Sequence, residues 1–225
     1  MIIRFLQENS LYVLLALAAV CTCVWLLLLR RRLRMAWPVA ILLSLLHVAY
    51  GVACVKVFAI MEGGSAGAMS LFGAVFFMPL AYWLGAQVTK RDTAEVFDIF
   101  APCMIFTLFC ARINCLVSGC CLGRIIPGLE PWRWPTREAE LVFYVVFLAL
   151  VAPRVFREKT YGQVYPLYMF LYGVVRCVLE CFRVSATNGI FHLSHVWAVL
   201  ALIVGFVLYS EIKRRHTAHT ARGRS

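Results

Sequence analysis

"LYVLLALAAVCTCVWLLLLRRRLR", residues 11–34, runs without a charge from Leu11 to Leu29 and then meets four arginines in five positions. About 20 apolar residues are needed to carry a helix across the hydrocarbon, where every backbone polar group must be satisfied within the chain. The run has that length. A cleavable leader carries its basic residues ahead of the apolar stretch, whereas here they follow it, so the segment is expected to be a true span. Six further stretches approach the same length: 36–58, 68–86, 96–117, 139–153, 163–183 and 193–210. The reading is an all-α, polytopic integral membrane protein with seven transmembrane helices.

The basic residues orient it. Arg30, Arg31, Arg32 and Arg34 follow span one, Lys90 and Arg91 span three, Arg154, Arg157 and Lys159 span five, and Lys213, Arg214, Arg215, Arg222 and Arg224 the last. All fall on one side. By the positive-inside rule the N-terminus is expected outside and the C-terminus in the cytoplasm.

Composition agrees. Of 225 residues 63% are hydrophobic, mean hydropathy is +0.83 and only 15% are charged, which excludes an ordinary soluble domain. The net charge of +11 needs no nucleic acid, because anionic headgroups meet it. Seven spans use nearly the whole chain, so residues 1–225 form one domain. Its longest outer loop is about 118–138, and an irregular basic tail, about 211–225, holds solvated His216 and His219. Cys21, Cys23, Cys54, Cys103, Cys110, Cys177 and Cys181 fall inside spans and read as packing residues. Cys115, Cys120 and Cys121 cluster at an outer span end. With no paired CxxC elements, neither a metal nor another cofactor is expected.

Ionisable residues inside spans are costly, which makes them functional candidates. In "LYGVVRCVLECFR", Tyr172, Arg176, Glu180 and Arg183 recur at i, i+4, i+8 and i+11, on one helical face. Glu180 can pair with both arginines and leave one positive charge over. Arg112 near the end of span four and Glu140 near the start of span five lie at the same outer depth. Two planar guanidinium forks from separate helices suit a phosphate ester whose acyl chains remain in the bilayer, so Arg112 and Arg176 point to a phospholipid. The plainer alternative is that both arginines only bridge helices through Glu140 and Glu180. Arg124, Arg133 and Arg137 read as headgroup anchors, Asp98 as an interfacial cap and His47 as a packing histidine. His192 or His195, at the outer start of span seven, could serve as a base.

The segments "RINCLVSGCCLG", "PTREAE", "MSLFG" after a glycine pair, "YGVVRCVLECFR" and "LSHVWAVLALIVG" together resemble the bacterial prolipoprotein diacylglyceryl transferase family over about two thirds of the chain. The resemblance implies an inner-membrane enzyme, expected to act as a monomer. Such an enzyme moves the diacylglyceryl group of phosphatidylglycerol to the lipobox cysteine of an exported preprotein and releases glycerol phosphate. It implies phosphate-gripping roles for Arg112 and Arg176 and an acid at Glu180. It also matches Tyr172, Gly123 and Glu140 to family positions, and with Arg183 of the span-six stripe and His195 at the start of span seven these are the expected substrate contacts.

The family's signature asparagine and glutamate are replaced here by Cys115 and Cys120, and its two histidines by Phe72 and Trp134. The acceptor thiol would then be activated by Glu180, Glu140, His195, or a thiolate at Cys115 or Cys120. The same residues leave open a covalent route through an internal cysteine, a non-catalytic phospholipid-binding accessory protein, a transferase with another acceptor, and a redox protein using the three outer cysteines.

Overall fold

The computed structural model describes residues 9–65, 68–184 and 193–222, without the side chains of residues 215 and 217–222. His192 and the side chain of His219 lie outside that description. Among the described residues, seven helices are long and apolar enough to cross a membrane: α1 Ser10–Leu29, α2 Trp37–Met61, α3 Phe72–Thr89, α4 Thr93–Val117, α5 Thr136–Phe156, α6 Val164–Cys181 and α7 Leu193–Arg222. Two isolated β-bridges pin the loop after α4, Gly123 to Arg183 and Ile125 to Arg133. The basic tail departs from expectation, because α7 continues as helix through Arg222.

α4 is the central post. Two thirds of its most apolar window is buried (67%), against 17% for α1, and it touches α1, α2, α3, α5 and α6. Outer faces show Leu17, Val20, Val24, Leu28, Leu42 and Leu45 to the surroundings, as a protein solvated by lipid requires. α7 is held mainly by α6, through glycine. A Cβ on Gly173 would stand 2.7 Å from the Ala198 carbonyl oxygen, and one on Gly205 would strike the Phe170 backbone. Small residues of this kind let helices approach closely where lipid gives no hydrophobic drive.

The basic turns meet at one end. Arg32 reaches Glu95 at 3.0 Å and Glu158 at 3.3 Å, and its Nη1 donates to the Val155 carbonyl at 2.6 Å. Beside this knot, Asp98 is not the interfacial cap expected. It is buried, and its carboxylate accepts from Thr160 Oγ1 (2.6 Å), Gly162 N (2.6 Å) and Val164 N (3.2 Å), so it closes the start of α6 rather than its own helix. The opposite end carries loop 118–135, the α2–α3 turn and the outer-loop cysteines.

Candidate active site

α4 and α6 each reach the loop end with an arginine one and a half turns before their last residue, and α5 leaves it with a glutamate just inside its first residues. That shared depth lets them meet. Arg112 Nη2 lies 2.7 Å from both Glu140 oxygens, and Arg176 Nη1 donates to Glu140 Oε2 at 3.0 Å. Tyr144, one turn along α5, donates its hydroxyl to Glu140 Oε1 at 2.9 Å. On α6 itself, Glu180 pairs with Arg176 at 2.7 Å and with Arg183 at 3.6 Å. Arg112, Arg176, Glu140 and Glu180 are each at most 5% exposed.

Three guanidiniums thus face two carboxylates, and one positive charge is left over. Among the described residues, the Nε groups of Arg112 and Arg176 find no hydrogen-bond partner, and neither does the fully buried Tyr172 hydroxyl. Buried donors without partners are expensive to keep. Arg112 and Arg176, but not Tyr172, line a cavity of about 220 Å³. Its lining combines Arg112, Arg176 and Arg183 with Glu62 and with the apolar Leu11, Leu71 and Phe72. Cys115 and Cys121 also open onto it. A larger, mostly apolar cavity of about 790 Å³ lies between α2 and α3 near the basic end, past His47. Its lining suits hydrocarbon, and the polar chemistry is at the smaller one.

The arrangement revises several sequence expectations. Cys120 is exposed and does not line the arginine cavity; its thiol leans on the Cys115 carbonyl at 3.7 Å. The neighbouring Cys121 lines it instead. Its thiol sits well below the ordinary value, chiefly through a hydrogen bond with Cys115, with Arg183 and Arg112 reinforcing the effect and burial opposing it. Gly123 serves packing, since a Cβ there would overlap the Trp134 carbonyl oxygen. His195 is buried, with Cys181 Sγ at 3.8 Å, and is not among the residues lining the cavity. Tyr172, one turn before Arg176 on α6, is fully buried edge-on to Phe72 with ring centres 5.8 Å apart and is not among the residues lining the cavity. Phe72, whose ring centre is 5.3 Å from the Arg176 guanidinium carbon, offers that cation a π face and no proton-accepting atom.

Arg124, Arg133 and Arg137, expected at the headgroups, bind loop carbonyls: Arg183 O at 3.1 Å, Gly123 O at 3.2 Å, and Cys120 O at 3.3 Å respectively. Arg124 ties loop 118–135 to the chain just after α6, Arg133 closes the loop on itself, and Arg137 ties the start of α5 to the loop and to the end of α4. Tyr144 and Arg137 were missed as site residues. The only sign of Tyr144 was its i+4 spacing from Glu140, a spacing too common to be read alone.

Fold and site define a multi-pass membrane protein whose buried arginine–carboxylate centre borders an amphipathic cavity. A family model described as prolipoprotein diacylglyceryl transferase matches residues 8–210, and the chain belongs to that family. Among its relatives is a phosphatidylglycerol–prolipoprotein diacylglyceryl transferase of Verminephrobacter eiseniae, 30% identical over 75% of this chain and 65% of that protein. Proteins of the same name from Tropheryma whipplei (28% identical, 76% and 68%) and Yersinia enterocolitica (22% identical, 70% and 66%) also match. The matched stretch covers about two thirds of the length of each of these relatives.

Proposed function

We propose that this chain transfers the diacylglyceryl group of phosphatidylglycerol to the cysteine thiol of an exported preprotein, at the loop end of the bundle. The reading rests above all on the convergence of Arg112 and Arg176, from separate helices, beside a cavity lined by both cationic and apolar side chains. The phosphodiester would lie against Arg112, Arg176 and Arg183, with the acyl chains leaving past Leu11 and Leu71.

When the thiol sulfur attacks the glycerol carbon, the carbon–oxygen bond breaks and the phosphate departs with the electron pair. Guanidiniums already fixed by Glu140 and Glu180 stabilise that developing charge without reorganising. The basic turns support an outside N-terminus and a cytoplasmic C-terminus in the inner membrane, which puts the cavity on the side where exported proteins emerge. One chain carries every member of the site, so a monomer suffices.

Phe72 gives a second reading its single support: a protein lacking a base there could bind phospholipid without turning it over. Purified protein incubated with phosphatidylglycerol and a lipobox peptide separates the two. Thioether-linked diacylglycerol with free glycerol phosphate is expected, and both should vanish in Arg176→Ala. Headgroup binding without product on any thiol acceptor would establish the accessory reading instead.

A further inference from the structure

Cys115, Cys120 and Cys121 are spaced in a way that suggests no metal site in sequence, yet the fold brings them together. α4 ends at Val117, and left-handed backbone at Gly119 (φ 71) and Cys121 (φ 58) turns the chain back over its last turn. The three sulfur atoms then lie within 4.8 Å of one another. Glycine takes that conformation freely, but a residue with a side chain keeps it only under constraint. The constraint here aims a thiol at two others. Zinc–sulfur bonds near 2.3 Å set the sulfurs of a tetrahedral site about 3.8 Å apart, so side-chain rotation closes the remaining gap.

The charges agree with such a site. Three thiolates around a divalent ion carry one net negative charge. Arg137 donates to the Cys115 and Cys120 carbonyls at 3.5 and 3.3 Å, and Arg112 and Arg183 line the same cavity as Cys115 and Cys121. The site is also open on one flank, because Cys120 is exposed and the other two are half-buried.

We propose that Cys115, Cys120 and Cys121 bind a thiophilic divalent cation of the zinc class, with the fourth coordination position left for the acceptor thiol. The acceptor part rests on the transferase reading. A thiol entering that position loses its proton to water and binds as thiolate. The thiolate sulfur then attacks the glycerol carbon, the carbon–oxygen bond breaks, and its electrons leave on the phosphate held by Arg112 and Arg176. The resulting thioether is neutral, a weaker ligand, and dissociates. The metal thereby does the work of the base that Phe72 cannot do.

The test uses the full-length protein in detergent under reductant, stripped with a chelator and titrated with Co²⁺, with Zn²⁺ as competitor. A single ion per chain and a sulfur-to-cobalt charge-transfer band in the near ultraviolet are expected. Cys115→Ser, Cys120→Ser and Cys121→Ser should each lose that band, whereas Cys177→Ser and Cys181→Ser should keep it. Cys120, exposed in the loop, is the position whose substitution disturbs folding least. Adding a thiol acceptor peptide should shift the visible cobalt bands. A missing charge-transfer band, binding that survives Cys120→Ser, or a disulfide joining any two of the three would overturn the site. Turnover by chelator-stripped protein would sink its catalytic role and leave the transferase reading standing. A bound ion with no turnover on any thiol would sink the transferase reading and leave the site.

Discussion

Asp98 and Glu140 are both buried carboxylates on membrane helices, at opposite ends of the bundle, and they are satisfied in opposite ways. Asp98 receives three hydrogen bonds from neutral groups of the α5–α6 connection and the start of α6, with the Arg32 cation as a more distant influence. Glu140 is gripped by two guanidiniums that keep unspent donors and border a cavity. A closed polar cluster is complete as structure. One that sets three guanidiniums on two carboxylates at the edge of a cavity holds a positive charge its own ion pairs do not consume.

Breaking the Glu140 cluster should have the largest effect. Glu140→Ala leaves two buried guanidiniums facing each other, and removing one partner of such an ion pair costs about 3–5 kcal/mol. Thermal unfolding in detergent should register it, and an unchanged midpoint would refute the coupling. Arg176→Ala should lower the rate of glycerol phosphate release by roughly 100- to 1,000-fold, the scale of losing one donor to a developing oxyanion. Asp98→Ala sharpens the contrast. It should destabilise by about 1–3 kcal/mol through orphaned donors, while turnover per folded molecule stays as in the parent. Tyr144→Phe removes a single hydrogen bond to Glu140 and should cost about 1 kcal/mol, seen as a small fall in midpoint with measurable activity. Arg133→Ala, which loses one exposed loop contact, should stay within about 0.5 kcal/mol of the parent in the same melt.

Much of the fold was legible because lipid imposes a length. Span one was expected at 11–29 and α1 runs Ser10–Leu29; span four was expected at 96–117 and α4 ends at Val117. α5 was read short, at 139–153, because Glu138, Glu140 and Arg154 dilute its apolar run. The helix nevertheless spans Thr136–Phe156, since Glu140 is neutralised inside the protein. The tail was read as irregular from its charges, yet α7 extends through it. In the site, the stripe of Tyr172, Arg176, Glu180 and Arg183 could be read from period alone. Residues whose role depends on another element could not. Cys121 rather than Cys120 faces the arginines because of a left-handed turn, and Arg124, Arg133 and Arg137 bind loop carbonyls whose positions no spacing reveals.

The sequence by itself determined the number of spans, the basic turns and the depth of each charged residue, because hydrophobic length and helical period are local properties. Tertiary structure alone decided that Arg112 and Arg176 share Glu140 yet keep free donors, and that three thiols spread over seven residues meet. Both depend on how helices rotate about their axes and how one loop folds back, and only packing between distant segments fixes those angles.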